Sequence, residues 1–142
     1  MLGSRFLSHP PVEPYRVEID TPGHPLVHGI QPFYTTDELY LSERFDADQH
    51  TVLMSTQWTG DTGEGKFEHR FWPHSEARPV MYLRPYGAGE VLYLTLGHSR
   101  GHYDMQPEID YCPDVQSGSW NLPEFLELTR RGILWAADEL PG

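Results

Sequence analysis

The strongest constraint on the fold is a pair of apolar segments in the second half of the chain, PVMYLRPY (79–86) and EVLYLTLG (90–97). Only Gly-Ala-Gly separates them, which predicts two antiparallel strands joined by a tight turn. The second segment is apolar at nearly every position, and this indicates burial on both faces, as in the middle of an α/β sheet. His98 follows it directly, and ligands of open α/β sheets bind at the carboxyl ends of strands.

The remaining pattern contains further short strands and one helix. Strands are predicted at residues 15–19 and 51–58, whereas residues 35–41 fit either a capped helical turn or a short strand. A helix is predicted over residues 123–138, with Asn121 as its cap. A strand that is apolar on both faces needs cover on both, and one helix covers only one. We therefore expect the second cover to come from another part of the chain or from a partner.

Length and charge limit the class of protein. At 142 residues the chain is expected to be a single domain, residues 1–142. The formal net charge is −11 with only ten Lys and Arg residues, so we expect no nucleic-acid partner and no anionic membrane surface. No stretch approaches the roughly 20 apolar residues of a membrane span, and no signal peptide is recognisable. With Cys112 as the single cysteine, the default prediction is a cytoplasmic location.

Two motifs are better read as ordinary loops. GDTGEGKF (60–67) approximates a phosphate-binding loop, but Phe67 stands where a magnesium-binding Ser or Thr is required. Cys112 has Tyr and Pro neighbours, which supply neither a base nor a charge that would activate a thiol. Nucleotide binding and cysteine catalysis are therefore disfavoured.

Histidine and carboxylate residues carry the candidate chemistry. His98, His102 and Asp104 are plausible zinc or iron ligands, although nearby glycines argue against the helix that would align them. Asp37 and Glu38 are adjacent carboxylates, which could divide acid and base roles or could simply lie in the first turn of a helix. His98 alone fits either a ligand-binding residue or a histidine hydrogen-bonded to backbone. Trp120 and the tyrosines could stack on a sugar ring or belong to the core.

Several stretches, taken in order, resemble one family. Their order and spacing resemble the trehalose-utilisation (ThuA-like) family over residues 3–138, whereas residues 60–77 and 98–119 are not distinctive. The stretches are FLSHPPVEPYRVEI (6–19), PGHPLVHGI (22–30), FYTTDELY (33–40), RPVMYLRPYGAGEVLYLTLGHS (78–99), Trp120 and RRGILWAAD (130–138).

The resemblance implies a fold. It is the class I glutamine-amidotransferase-like fold, a flavodoxin-like α/β three-layer sandwich with its site at the strand carboxyl ends. Such domains begin with a βαβ portion that has no counterpart in this sequence, so we expect the domain to be incomplete at its N-terminus. A fragment of this kind would need a missing N-terminal half or self-association as a homo-oligomer. No nucleophile elbow is present, so glutaminase activity is not implied.

The resemblance also implies site residues. His98 matches the Gly-His that follows the apolar strand, and Glu38 lies in the DELY-type segment of the family. In this hypothesis His98 is the general acid/base or a ligand, and Glu38 is its carboxylate partner. Substrate binding is assigned to the remaining candidates, Asp37, Tyr40, His24, His102 and Trp120.

The functional hypothesis is carbohydrate utilisation, with trehalose or a keto-sugar as the substrate class. The chain would bind or modify a small saccharide, by acid–base or metal-assisted chemistry if it is an enzyme, and the chemical step stays open. No cofactor is assigned, although a divalent metal could be held by His98, His102 and Asp104. The alternatives are a non-catalytic carbohydrate-binding or accessory module and a non-functional fragment.

Overall fold

A computed structural model describes residues 1–62, 71–72, 77–101 and 115–141. This part of the chain contains strands and one α-helix, α1, together with two short 3-10 turns at Ala47–Gln49 and Gly118–Asn121. The strands and the helix are β1 (Ser4–Ser8), β2 (Glu13–Ile19), β3 (Phe33–Asp37), β4 (Leu41–Arg44), β5 (Thr51–Gln57), β6 (Gly60–Asp61), β7 (Phe71–Trp72), β8 (Ala77–Tyr86), β9 (Gly89–Leu94) and α1 (Pro123–Ala136).

The centre of the structure is a five-stranded sheet in the order β3-β2-β5-β8-β9. Every neighbouring pair in it is antiparallel. Strands β1 and β4 form a separate antiparallel ladder, and the two-residue strands β6 and β7 pair with each other. The described chain is therefore a mixed α/β structure built on an antiparallel sheet. None of its helices is long and apolar enough to cross a membrane.

The predicted strand pair is confirmed, but its place in the sheet is different. Strands β8 and β9 pair from Met81↔Leu94 to Tyr86↔Gly89. The second strand is not central in the described sheet, because β9 lies at its edge and its apolar side chains are only half-buried. The strand buried on both faces is β8, whose residues 80–83 are all buried between β5 and β9.

Different parts of the chain cover the two faces of β8 and β9. On one face, the Leu92 side chain approaches α1, where a Cβ on Gly132 would lie 3.1 Å from its Cδ2 atom. On the other face, the Tyr82 hydroxyl donates to the Leu2 carbonyl at 2.9 Å and contacts Ser4 Oγ at 2.8 Å. The second cover expected from the sequence is thus supplied at this point by the chain's own N-terminal ladder.

Two local details differ from the sequence prediction. The helical turn considered for residues 35–41 is absent, because β3 ends at Asp37 and β4 begins at Leu41. The helix begins at Pro123 and ends at Ala136, two residues earlier than predicted. Asn121 is not its cap, since it belongs to the preceding 3-10 turn and Leu122 occupies the N-cap position without a side-chain hydrogen bond.

His50 is a buried histidine that makes stability depend on pH. Its ring stacks on Tyr82 at 4.7 Å, and neither ring nitrogen has a hydrogen-bond partner among the described residues. Burial, reinforced by the positive charges of Arg44 and Arg84, lowers the pKa of His50. The native state therefore binds fewer protons here than the unfolded chain, and its stability falls as the pH drops below the unfolded value of about 6.5.

We expect His50→Phe, which keeps the stacked ring but cannot titrate, to flatten the dependence of unfolding free energy on pH below about 6.5. Urea unfolding between about pH 5 and 7 measures this slope. His28→Phe is the matched control, because His28 is exposed. An unchanged slope in His50→Phe would refute the assignment.

Candidate functional site

The candidate site is built around Asp37, the last residue of β3. Its carboxylate is 1% exposed and accepts hydrogen bonds from five protein donors. Its oxygen Oδ1 accepts from the backbone N–H groups of Glu38 at 2.8 Å and His98 at 3.0 Å. Its oxygen Oδ2 accepts from the N–H groups of Gly97 at 2.8 Å and Ser119 at 3.0 Å, and from the Ser119 hydroxyl. Asp37 thus ties the segment after β9 and the turn before α1 to the end of β3.

Two glycines allow these segments to approach Asp37. Gly97 has φ +104°, and a Cβ there would lie 2.8 Å from the Phe125 ring. Gly118 has φ +45°, and its Cβ would lie 2.6 Å from the His98 carbonyl oxygen and 3.0 Å from Asp37 Cγ. Both positions combine a left-handed backbone with no room for a side chain, so glycine is required for the Asp37 contacts to form.

Glu38, the next residue, has its side-chain carboxylate between two histidines. Its Oε2 atom is 2.7 Å from His98 Nδ1, and its Oε1 atom is 3.0 Å from His9 Nε2. The guanidinium of Arg100 lies 4.0 Å from Oε1. The side chains of Glu38 and His98 are only 11% and 8% exposed, so these contacts are largely shielded from water. The adjacent carboxylates therefore have separate tasks: Asp37 holds backbone and Glu38 holds imidazole rings.

The hydrogen bonds of His9 require a shared proton. Its Nδ1 atom lies 2.8 Å from the Pro10 carbonyl oxygen, which can only accept, so Nδ1 carries a hydrogen. Its Nε2 atom faces a Glu38 oxygen, and a bond between them needs one more proton. That proton lies either on His9, giving an imidazolium–carboxylate pair, or on Glu38, giving a neutral pair.

His98 has a partner that tolerates either protonation state. Its Nε2 atom lies 2.9 Å from the side-chain amide of Gln116, whose backbone pairs with that of Arg100 in both directions. An amide presents an accepting oxygen or, after a flip, a donating nitrogen. His98 can therefore gain or lose a proton at Nε2 without leaving a buried ring nitrogen unpaired.

The family model for ThuA, described as trehalose utilisation, matches residues 1–110 of the chain. The chain belongs to the ThuA family. That match covers every strand of the sheet and the residues Asp37, Glu38, His9 and His98. No curated protein and no solved structure matches the chain.

In this ThuA-family chain, Trp120 and Tyr40 lie beside the site in different directions. The Trp120 indole N–H donates to the Gly97 carbonyl at 2.9 Å, next to His98, and 51% of the residue is exposed. Tyr40 lies two residues beyond Glu38 and faces a separate cavity between β1–β4 and β8–β9. Burial raises the pKa of Tyr40, and the charges of Glu38 and Asp37 add to the rise, which keeps its hydroxyl a hydrogen-bond donor.

The other candidates are not joined to this cluster. His24 lies in a turn where its Nδ1 atom accepts from the Leu26 N–H at 3.3 Å, and Arg131 of α1 donates to the carbonyls of Pro25 and His28 in the same turn. No hydrogen bond or ion pair links His24 to Glu38 or His98 within the described chain. The Asp37 carboxylate is enclosed by protein donors, and a substrate contact of this residue stays a prediction.

The proposed metal ligands can be placed only in part. His102 and Asp104 lie outside the described residues, as does Cys112. Within residues 1–62, 71–72, 77–101 and 115–141, no group of three or more His, Cys, Asp and Glu side chains is arranged to hold a metal ion. Metal binding by His98 with His102 and Asp104 therefore stays a prediction.

Sequence reasoning missed three residues of the candidate site, His9, Gln116 and Ser119. His9 follows β1 directly and precedes two prolines, and its Nε2 atom lies 3.0 Å from Glu38 Oε1. Ser119 follows Gly118 and precedes Trp120, and its Oγ atom also contacts Thr35 Oγ1 at 2.7 Å. Gln116 carries no sequence signal, since only the fold brings it to His98.

Proposed function

We propose that this ThuA-family chain acts on a small saccharide in carbohydrate utilisation, with His98 moving a proton on the substrate and Glu38 as its carboxylate partner. The observation that carries the proposal is the 2.7 Å contact between Glu38 Oε2 and His98 Nδ1, completed by His9 on the other carboxylate oxygen. Family membership supports the pathway, and the side-chain arrangement supports the type of chemistry.

Each residue has a defined task in this proposal. Glu38 fixes the orientation of the His98 ring and balances the charge that develops when the ring gains a proton. His9 supplies or withdraws the proton at the far oxygen of Glu38, so the charge of the carboxylate can follow that of His98. Asp37 holds the backbone of His98 in place through the 3.0 Å bond to its N–H group.

The reaction class that fits these tasks is proton transfer next to a sugar carbonyl. A keto-sugar has acidic C–H groups beside its carbonyl, and a histidine paired with a carboxylate is a suitable base for them. The proton leaves carbon, its electron pair forms an enediolate, and the same ring returns a proton to carbon or oxygen. Balanced in this way, the step needs no external oxidant or reductant.

Exchange of substrate hydrogen in D₂O tests this step. We expect the chain to catalyse deuterium incorporation beside the carbonyl of 3-keto-trehalose, followed by proton NMR. His98→Gln and Glu38→Gln should each slow the exchange by about 10²–10⁴-fold, the usual contribution of a general base. His28→Gln, which changes an exposed histidine, should leave the rate unchanged. Equal exchange in His98→Gln and the unmodified chain would refute the proposal.

A second candidate is a carbohydrate-binding module without catalysis, and the exposed indole of Trp120 favours it. Half of this residue is accessible beside the Gly97–His98 segment, which suits stacking on a sugar ring. The two functions separate cleanly, since Trp120→Ala would abolish trehalose binding in this second case while His98→Gln would leave it intact.

We also propose that the complete domain has the flavodoxin-like arrangement implied by the family resemblance. Strand β9 supports this proposal, because it is an edge strand of the described sheet with half-buried apolar side chains. An experimental structure of the whole domain tests it. A parallel strand hydrogen-bonded to β9 would support the proposal, and a solvent-exposed β9 edge would contradict it.

A further inference from the structure

The sheet face opposite α1 carries a cavity that the proposed acid–base function does not use. A cavity of about 440 Å³ separates the β1–β4 ladder from strands β8 and β9. This volume is within the range of small-molecule pockets, roughly 300–1,000 Å³. Neither Glu38 nor His98 is among the residues that line it. The cavity is therefore distinct from the candidate acid–base site, although Tyr40 comes only two residues after Glu38.

One wall of the cavity is aromatic and carries hydroxyl groups. Tyr82 and Tyr93 pack edge to face with ring centroids 5.4 Å apart, and Tyr40 also lines the space. The Tyr82 hydroxyl is already bonded to the N-terminal segment. The hydroxyls of Tyr40 and Tyr93 make no hydrogen bond with the described chain, and burial raises the pKa of both. These two hydroxyls are thus available as donors to a bound molecule.

Two arginine side chains line the cavity, in a chain whose net charge is −11. Arg44 and Arg78 both line it, and Arg78 is only 5% exposed. Arg44 forms no ion pair with any residue of the described chain. Among the described residues of the lining, the one carboxylate is that of Glu43, which is paired with Arg5 at 2.8 Å. A guanidinium that faces a cavity without a counter-charge favours an oxyanion, which it can bind in bidentate fashion.

We propose that this cavity binds a small sugar that carries an oxyanion, either a carboxylate or a phosphate. Arg44 holds the oxyanion, and the hydroxyls of Tyr40 and Tyr93 donate to the polyol while the rings of Tyr82 and Tyr93 form an apolar wall. The hydroxyls of Ser4 and Ser42 and the Thr95 side chain complete the polar lining.

Calorimetric titration with gluconate, glucose 6-phosphate, inorganic phosphate and glucose tests the proposal. We expect at least one anionic sugar to bind about tenfold or more tightly than glucose, and to bind more weakly as salt is added. Preference for gluconate assigns the carboxylate, and preference for glucose 6-phosphate assigns the phosphate. The proposal would be overturned if glucose bound as tightly as the anionic sugars, or if inorganic phosphate alone bound as tightly as they do.

Variants locate the binding. Arg44→Gln should weaken binding of the preferred anionic sugar about tenfold or more, whereas Arg130→Gln on the exposed side of α1 should not change it. Tyr93→Phe removes one hydroxyl and should weaken binding about threefold to tenfold, which keeps the test valid if Arg44→Gln does not fold. The proposal would be overturned if the single variant Tyr93→Phe kept full affinity and either Arg44→Gln or Arg44→Lys, each tested separately, kept it as well.

The result is independent of the proposed acid–base function. His98→Gln should bind the anionic sugar with the affinity of the unmodified chain, because His98 does not line the cavity. Loss of binding in His98→Gln would place the ligand at the acid–base site instead, and would overturn the assignment of a second site.

Discussion

Replacing Asp37 with Ala is expected to lower the free energy of unfolding by about 3–5 kcal/mol, the cost of leaving buried partners of a removed charge unsatisfied. The substitution would strand four backbone N–H groups and the Ser119 hydroxyl. Because domains are stable by only about 5–15 kcal/mol, this is a large fraction of the total. It would also release the segments that carry His98 and Trp120.

Urea unfolding of Asp37→Ala and Asp37→Asn measures this effect. The Asn variant keeps the volume but turns an amide NH₂ toward protein donors, so it should also lose stability. Asp48→Asn is the matched control, because Asp48 is exposed in the 3-10 turn after β4 and should change stability by less than about 0.5 kcal/mol. If Asp37→Ala were as stable as Asp48→Asn, Asp37 would not be what joins the three segments.

Gly118→Ala is expected to have the second-largest effect. A left-handed backbone costs a residue with a Cβ about 1–2 kcal/mol, and here the Cβ would also press on the His98 carbonyl at 2.6 Å. Gly87→Ala is a close control, since Gly87 has φ +63° and no heavy atom lies within 4 Å of the place its Cβ would take. The difference between the two variants in lost unfolding free energy measures the cost of the steric clash alone. We expect this cost to be about 1–3 kcal/mol, the usual range for overpacking.

Thermal or urea unfolding of the two glycine variants gives the difference directly. Backbone amide NMR shifts supply a second measure, because only Gly118→Ala should move the signals of Gly97, His98 and Ser119, which share the Asp37 carboxylate. Equal losses of stability in both variants, with the Gly97 and His98 signals in place, would mean that the turn before α1 does not position His98.

The sequence was informative where a signal is local. The pair of strands around Gly87 follows from two apolar runs and a short glycine-containing turn, and α1 follows from helical spacing and Pro123. The position of β9 at an edge of the described sheet could not be predicted in this way. An apolar segment indicates that a strand is buried, but it does not indicate which neighbouring strands bury it. The cover supplied by β1 and β4 depends on contacts between residues about 80 positions apart, such as Tyr82 with Leu2 and Ser4.

The same distinction, between residues that a sequence pattern marks and residues that only the fold brings in, applies to the candidate site. His98 and Glu38 were predicted as a pair from the family resemblance, and the fold brings them to 2.7 Å. The role of Asp37 was not predictable, since a carboxylate that binds substrate and one that binds backbone amides have the same local sequence. His9 and Gln116 reach the site only through long-range folding, from 29 residues before Glu38 and 18 residues after His98, and no local pattern marks such a contact.

The most direct test of the proposed site is proton NMR of the imidazole N–H groups in the unmodified chain and in Glu38→Gln. Ring N–H protons bonded to a shielded carboxylate exchange slowly and resonate at low field. We predict two low-field signals, one for the bond between His98 Nδ1 and Glu38 and one for the proton shared by His9 Nε2 and Glu38, and the loss or marked shift of both in Glu38→Gln, while Glu127→Gln on exposed α1 leaves them unchanged. Loss of one signal or of neither would contradict the claim that Glu38 joins the two histidines in a single proton-sharing site.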